Sequence, residues 1–352
     1  FGTFDVELNL PDDYIVEATG TLKNEAQVLP DSLKKKLHIS NYYHRGSGEV
    51  SDTLSIITKR KFRKTWKYYA ENVHDFAFTA DPTYRLDEVS WNGIRCISVV
   101  EERHCPKWKT AAKFAAEVIK VYSEDFGMYA YPKMVVADAR DGMEYPMLTL
   151  NSGKSPHYRG LLAHEIGHNW FYGMLGSNET YRAMMDEGFT QFLTTWSLIK
   201  LDGEIYKPYQ KDFNNIFLNK YQHRLKTLDI KAYLGYLDAA IQREDPQLNT
   251  HSSDFSGGGI RHSGGYRQVY TKTAVMLFNL QYVLGDSLFL SSMNNYVNQW
   301  KFKHPYPEDF RNSIIRYTKV DLNWFFDQWL ETSKVIDFKV KRVKKISKDS
   351  FL

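Results

Sequence analysis

The chain contains little cysteine, since only Cys96 and Cys105 occur among its 352 residues. Two cysteines supply neither a disulfide framework nor the repeated spacing of a structural zinc site. Their separation permits one disulfide, and two free thiols fit the sequence equally well. We therefore do not expect cysteine chemistry to organise this fold.

Long apolar runs and an excess of one charge are lacking as well. No stretch approaches the roughly 20 apolar residues that a membrane-spanning helix needs, so no transmembrane segment is predicted. The formal net charge is only +4, and Lys and Arg are scattered rather than clustered. This distribution argues against a nucleic-acid partner. Internal repeats are absent too, while 43% hydrophobic residues are enough for substantial cores.

The chemistry concentrates in one short segment, residues 164–168 (HEIGH), which Glu187 follows after eighteen intervening residues. His164 and His168 are four positions apart, so on a helix both rings lie on one face and can reach the same ion. A carboxylate as the third ligand leaves one tetrahedral position open for water, as in catalytic zinc sites. Glu165 is placed to take a proton from that water. The pattern predicts a zinc-dependent peptide hydrolase with one Zn²⁺ per chain.

The flanking residues predict two helices around these ligands. Ser155-Pro156 supplies an N-cap and a proline at the first helical position, and Gly173 is expected to end this helix. A second helix is predicted over about 181–200 and carries the third ligand. The apolar neighbours disfavour the alternative of a surface helix with solvated His and Glu side chains. Gly167 and Gly188 each cost helix stability, which close packing of the two helices would explain.

Two runs around the ligands, 164–170 (HEIGHNW) and 185–189 (MDEGF), resemble the M1 family of zinc metallo-aminopeptidases, which are gluzincins. Members of that family carry H-E-x-x-H, eighteen residues and Glu on a thermolysin-like domain. The resemblance extends from about Phe4 to Thr332. It implies an α+β fold: a thermolysin-like catalytic domain, with a small mixed-sheet lobe and an α-helical lobe, preceded by part of an all-β domain.

The resemblance also implies how the chain is divided. Residues 1–85 would form the C-terminal part of an N-terminal β domain, 86–332 the zinc catalytic domain, and 333–352 a tail that could begin a further β module. Because the chain starts with Phe1 rather than Met, we expect that its beginning has been removed, with most earlier strands of the β domain. Both a cytoplasmic and an exported location fit the sequence, which is silent on the oligomeric state.

Upstream of the ligands, residues 141–145 (DGMEY) resemble the family's G-x-M-E-N exopeptidase motif, from which Asp141 and Tyr145 depart. By this resemblance Glu144 accepts hydrogen bonds from the free α-amine of a peptide substrate, so peptides with a free N-terminus are the expected partners. The alternative is a loop carboxylate that only caps a turn. The resemblance implies three substrate-binding residues: Gly142, Met143 and Glu144. Residues 147–150 are predicted as an edge strand on which the peptide lies by β-augmentation.

Downstream, Tyr270 lies in a segment (VYTKTA, 269–274) that resembles the family's Y-x-K-G-A. The resemblance implies that its hydroxyl stabilises the oxyanion of the tetrahedral intermediate. With 24 tyrosines in the chain, an ordinary core aromatic is the alternative, and Tyr266 is the second candidate for the role. Residues 249–265 are rich in Ser and Gly and predict a flexible loop, which we expect to border or cover the cleft.

Alternating apolar and polar residues predict further strands, and apolar residues at helical spacing predict further helices. The strands are 4–10, 53–57, 66–69, 75–79, 94–100, 134–137 and 335–346. The helices are 107–126, one that begins near Tyr270 and ends at Gly285, 286–300, 307–317 and 322–330.

These residues together predict a mechanism. His164, His168 and Glu187 hold zinc, Glu165 is the general base, and Tyr270 stabilises the oxyanion. Two other functions stay open. The first is a thermolysin-type zinc endopeptidase, which the departures from the exopeptidase motif favour. The second is a noncatalytic scaffold that binds a peptide or partner, which the retention of every ligand and of the base disfavours.

Overall fold

The computed structural model of the chain describes residues 1–44, 61–206, 224–255 and 264–334, together with residue 342 and the short segments 345–347 and 350–351. The predicted strand 53–57, the middle of the Ser/Gly-rich loop and most of the predicted strand 335–346 lie outside the described residues. Two short strands of the tail, Lys345–Ser347 and Ser350–Phe351, pair with each other.

The N-terminal part of the chain is built mainly from antiparallel strands, as predicted. In chain order it contains β1 (Gly2–Pro11), β2 (Ile15–Ala18), β3 (Thr21–Leu22), α1 (Glu25–Val28), α2 (Asp31–Leu37), β4 (Arg63–Val73) and β5 (Phe78–Asp81). β4 lies between β1 and β3, and β2 pairs with β5. The sequence patterns do not predict α1 or α2, because helices of two turns or fewer are too short to show a periodicity.

A second sheet carries the residues that lead to the cleft. It consists of β6 (Tyr84–Trp91), β7 (Ile94–Glu101), β8 (Lys133–Asp138) and β9 (Leu148–Asn151), in that spatial order. β6 and β7 are antiparallel, whereas β7, β8 and β9 are parallel. The predicted small mixed sheet is therefore confirmed, although the patterns do not predict β6. The domain boundary near residue 85 stays a prediction, and β6 begins beside it.

The rest of the described chain is helical. Its helices are α3 (Ala111–Phe126), α4 (Arg159–Gly167), α5 (Glu187–Asp202), α6 (Leu234–Gln242), α7 (Gln268–Leu284), α8 (Asp286–Trp300), α9 (Pro307–Thr318) and α10 (Asn323–Glu331). The last four match their predictions within a few residues. α3 starts later than predicted because Glu102–Lys107 forms a 3₁₀ turn that contains a proline. A small sheet lobe followed by a helical lobe agrees with the predicted α+β fold.

Both predicted ends of the first ligand-bearing helix and the predicted start of the second are wrong, whereas the second ends at Asp202, close to the predicted residue 200. α4 starts only at Arg159, since residues 155–158 form turns, so Ser155-Pro156 does not cap it. It ends at Gly167 rather than Gly173, because the N–H groups of Asn169 and Trp170 bind carbonyls three residues back and those of residues 173–175 bind carbonyls five residues back. The second helix begins at Glu187 itself, after a 3₁₀ turn at Ala183–Met185.

The two helix glycines pack against different neighbours, so the prediction holds for only one of them. A β-carbon on Gly167 would lie 3.0 Å from Cγ2 of Thr190 on α5, which is the predicted contact between the ligand helices. On Gly188 it would lie 2.3 Å from the carbonyl oxygen of Val269 and 2.3 Å from Cβ of Thr273. Gly188 therefore brings α7, with Tyr270, against α5.

Two further points of the sequence are settled by the structure. Cys96 and Cys105 are both buried free thiols, which excludes the disulfide alternative. In the part of the chain that the structure describes, no helix has both the length and the apolarity needed to cross a bilayer.

Candidate metal centre and cleft

The three predicted metal ligands converge at one point between α4 and α5. Nε2 of His164 and Nε2 of His168 lie 3.1 Å apart, and Oε2 of Glu187 lies 3.1 Å and 3.3 Å from them. Ligand atoms about 2.0–2.2 Å from a tetrahedral zinc ion are roughly 3.3–3.6 Å apart. The donor set and its spacing therefore fit Zn²⁺.

The other nitrogen of each imidazole is engaged by a neighbouring side chain. Nδ1 of His168 donates to Oδ1 of Asp186 at 2.5 Å, and Nδ1 of His164 lies 3.3 Å from the hydroxyl of Thr194. Such partners hold a ring in one orientation and direct its free nitrogen toward the ion. The sequence prediction missed both residues, although Asp186 directly precedes Glu187 and Thr194 lies about two helical turns after it.

Glu165 is buried beside the ligands. Its side chain is 4% exposed, and Oε2 has no hydrogen-bond partner among the described residues. Burial raises the pKa of its carboxyl group to about 8, because a charged carboxylate is poorly solvated there. An unpaired carboxyl oxygen at the cleft is what a general base needs in order to reach a water molecule.

The loop that contains Glu144 lies against Glu165. A β-carbon on Gly142 would come within 2.2 Å of Oε1 of Glu165, so a larger residue here would displace that carboxylate. Carboxylate oxygens of Glu144 and Glu165 and a ring nitrogen of His168 lie within 4.8 Å of one another. Glu144 therefore faces the cleft beside the metal ligands, whereas a carboxylate that only capped a turn would need no such position.

β9 is the last strand of its sheet, as predicted, but its outer edge is already covered. Met143 and Leu150 exchange two backbone hydrogen bonds, of 3.1 Å and 2.7 Å, and the N–H of Leu148 donates to the carbonyl of Tyr145. A peptide cannot pair with those groups, so the prediction that it lies directly on β9 is wrong. Residues 141–144 line the cleft in its place.

Tyr270 and Tyr266 both line the cleft. The ring of Tyr270 stacks on that of His164 with centroids 5.9 Å apart, and its hydroxyl hydrogen-bonds to Glu187. Burial and the charge of Glu187 raise the pKa of Tyr270, so its phenol stays protonated and can donate. Tyr266 packs edge-on against Tyr270 at 6.3 Å. The contacts with a metal ligand favour Tyr270 over Tyr266 for the oxyanion role.

The cleft has a volume of about 1160 Å³ and extends well beyond the metal ligands. Carboxylates of Glu144, Glu179 and Asp186 form one cluster, with ligand oxygens within 4.8 Å of one another. Further along, the cleft is lined by residues that the sequence does not single out: Gln191, Lys231, Leu234, Asp238, Arg267 and Thr271.

The described part of the Ser/Gly-rich loop is tied to the region before α5. The hydroxyl of Ser252 accepts from the N–H of Ala183 and donates to the carbonyl of Glu179. Phe255 packs edge-on against Tyr266. This end of the loop thus borders the cleft. The remainder, 256–263, lies outside the described residues, and its role as a cover stays a prediction.

Comparison with known proteins adds a family and a set of relatives. The family described as the Peptidase family M1 domain matches residues 262–329, a stretch that includes Tyr270 but not the metal ligands. Aminopeptidase 2 of Candida albicans is 22% identical over 295 residues, which are 78% of this chain and 28% of that protein. Leukotriene A-4 hydrolase of Xenopus laevis is 25% identical over 185 residues, 51% of this chain and 27% of that protein.

Solved structures show the same fold over nearly the whole chain. The M1 zinc metallopeptidase of Deinococcus radiodurans has a TM-score of 0.63 at 14% identity, covering 95% of this chain and 65% of that one. A point mutant of that peptidase, bound to a Tyr-Ser-Ala substrate, gives a TM-score of 0.60 at 13% identity. The chain therefore spans less than a third of the two relatives named above and about two thirds of these structures.

Proposed function

We propose that this chain is a zinc-dependent aminopeptidase of the M1 type that removes N-terminal residues from peptides, which its similarity to M1 peptidases supports. One observation carries the proposal: the Glu144 carboxylate lies beside a buried base and a His/His/Glu set with zinc spacing. A carboxylate at that position can bind the α-amine of a peptide whose first bond lies at the metal site.

In this proposal His164, His168 and Glu187 hold the zinc ion. When bound, zinc supplies a Lewis acid that polarises a carbonyl and lowers the pKa of water. Glu165 takes a proton from the attacking water and passes it to the leaving amine. The unpaired Oε2 of Glu165 is available to accept the proton. Burial raises the pKa of this carboxyl group, so its protonated and charged forms are closer in free energy and it can both accept and release the proton.

The phenol of Tyr270, which hydrogen-bonds to Glu187 in the structure, donates a hydrogen bond to the oxyanion of the tetrahedral intermediate. The neighbouring charge of Glu187 keeps that hydrogen on the phenol, and the stacking on His164 holds the ring in place before the reaction begins. A donor preorganised in this way stabilises the charge that develops in the transition state.

The negative charge of nearby carboxylates determines where the amine end of the substrate binds. Glu144, Glu179 and Asp186 place three carboxyl groups close together, and an ammonium group that leaves water needs such partners. Peptides with a free N-terminus are therefore the proposed substrates. The Tyr-Ser-Ala complex of the Deinococcus radiodurans peptidase supports peptides as the class.

The test uses one short peptide in free and N-acetylated forms, incubated with the zinc-loaded chain with and without a chelator. We expect stepwise loss of the first residue from the free peptide alone, read by mass spectrometry and abolished by the chelator. Internal cuts in both forms would instead identify a thermolysin-type endopeptidase. Bound zinc without any cleavage would favour a noncatalytic peptide-binding scaffold.

A further inference from the structure

Lys231 is a half-buried cation that lines both the cleft and a second, smaller pocket, far from the metal ligands in sequence. Its Nζ lies 3.6 Å from the position that a β-carbon on Gly160 would take. Gly160 is on α4, one turn before His164, and lines the second pocket, so the ammonium lies on the side of the cleft that adjoins this pocket. The backbone is held as well, because Nε2 of Gln191, one turn after Glu187, donates to the carbonyl of Lys231 at 2.8 Å.

No counter-ion from the described residues contacts the ammonium of Lys231. Among the described residues, no hydrogen bond or ion pair within 4.0 Å involves its Nζ. Asp202 is the acidic residue whose charge reaches Lys231, but Arg159 binds both oxygens of that carboxylate. Burial lowers the pKa of Lys231, and an anion brought by a ligand would offset this loss of solvation.

The two ends of the cleft along α4 therefore carry charges of opposite sign. Carboxylates of Glu144, Glu179 and Asp186 surround the His168 end, and the Lys231 ammonium lies at the Gly160 end. Eight residues of helix separate those ends, a rise of about 12 Å. An extended peptide spans about 3.3–3.6 Å per residue, so roughly three or four residues bridge the two ends. The N-terminus of α4 adds its own positive potential at the Lys231 end.

We propose that Lys231 binds a carboxylate on the leaving-group side of the substrate, two or three residues after its N-terminus. This inference rests on the proposed aminopeptidase function, which supplies the direction of the peptide. The carboxylate comes either from the C-terminus of a tripeptide or tetrapeptide or from an Asp or Glu side chain at that position. In both cases the site favours short or acidic peptides, since the amine and the carboxylate are bound at opposite ends.

The experiment measures kcat/KM for three peptides on the zinc-loaded full chain: Ala-Ala-Ala as the free acid, the same peptide as its C-terminal amide, and Ala-Ala-Glu amide. A charge-assisted hydrogen bond contributes a factor of about 10–100, so we expect the acid to exceed the plain amide by that ratio. If a side-chain carboxylate also reaches Lys231, the Glu-containing amide recovers the preference. If only the C-terminus reaches it, the Glu-containing amide behaves like the plain amide.

Lys231→Met keeps the length of the side chain and removes its charge, and we expect it to bring the acid-to-amide ratio close to one. Lys231→Arg should restore a preference for the acid. Lys226→Met is the matched control, since this exposed lysine lies five residues earlier and does not line the cleft; the wild-type ratio should persist. Equal rates for acid and amide in the wild type, or an unchanged ratio in Lys231→Met, would overturn the inference.

A binding measurement separates this inference from the proposed function. The Kd of the same peptides is measured by calorimetry on the Glu165→Gln variant, with Lys231 intact or changed to Met. A preference for the acid that depends on Lys231, in a chain whose wild type cleaves nothing, would refute the aminopeptidase and retain the carboxylate site. Equal Kd values for acid and amide would reject the site, whatever the turnover.

Discussion

Asp186 and His168 form a buried pair in which Oδ1 of the carboxylate lies 2.5 Å from Nδ1 of the imidazole. Because Asp186 directly precedes Glu187, the turn that starts α5 supplies both a metal ligand and the group that orients another one. His168 is the C-cap residue of α4 and keeps helical backbone angles, so the helix sets the position of its ring and the carboxylate of Asp186 sets the orientation.

Asp186→Asn is expected to weaken zinc binding by about 10- to 100-fold, which is the usual cost of losing such a partner. The measurement is a competition between the protein and a chelator of known affinity. Asp327→Asn is the control, since that carboxylate pairs with Arg311 at the surface. An unchanged zinc affinity in Asp186→Asn would show that Thr190 and the carbonyl of Phe171, both near Nδ1, are sufficient.

Glu165→Gln should bind zinc normally and lose turnover by about 10²–10⁴-fold or more, because an amide cannot accept the proton from water. Metal content is read by elemental analysis and turnover by release of the N-terminal amino acid. Near-normal activity with full zinc would refute the assignment of Glu165 as the base.

Tyr270→Phe is expected to lower kcat by about 10²–10³-fold with little change in KM, since the oxyanion donor acts in the transition state. Tyr266→Phe is the matched comparison, because its ring packs against Tyr270 and lines the same cleft. We expect a clearly smaller loss there. A larger loss in Tyr266→Phe would reverse the two assignments.

Glu144→Ala should mainly harm cleavage of peptides with a free amine, because their ammonium group loses its carboxylate partner in the cleft. The measurement compares kcat/KM for a free peptide with that for an analogue whose α-amine is replaced by hydrogen. The ratio between the two substrates should fall toward one. If both substrates are affected equally, Glu144 supports the loop rather than the amine.

Gly188→Ala should destabilise the fold by about 1–3 kcal/mol or more, because the added methyl overpacks a close contact between α5 and α7. A backbone carbonyl, that of Val269, lies 2.3 Å from the new atom and has little freedom to move away. The midpoint of thermal unfolding is the measurement. Gly2→Ala is the control, since nothing lies within 4 Å of its added β-carbon.

Much of the fold could be predicted where a long segment repeats one local pattern. α8 is found over Asp286–Trp300 as predicted, because its fifteen residues give about four turns of apolar periodicity. The sequence patterns did not predict α1 or β6, each for a different reason. α1 has four residues, too few for a pattern. β6 (YRLDEVSW) is rich in charged residues and carries only a weak apolar alternation.

In the candidate site too, the residues that could be predicted are those whose placement follows from a local pattern. His164 and His168 lie one helical turn apart, so their convergence is a consequence of local geometry. Asp186 was overlooked although it touches a predicted ligand, because adjacency in sequence does not reveal which way a side chain turns at the start of a helix. No sequence pattern marks Lys231 as a cleft residue, because it belongs to no motif and lysine is common in this chain.

The metal-binding pattern and the candidate for the general base follow from the sequence alone, because the spacing of H-E-x-x-H and the later Glu187 is read along one chain segment and its helix. The residues that surround them are brought there by tertiary packing. Packing of α5 against α7 through Gly188 brings Tyr270 to the ligands, and Gly160 makes room for Lys231. These contacts join residues that are far apart in the chain, and their free energy depends on shapes that no local periodicity encodes.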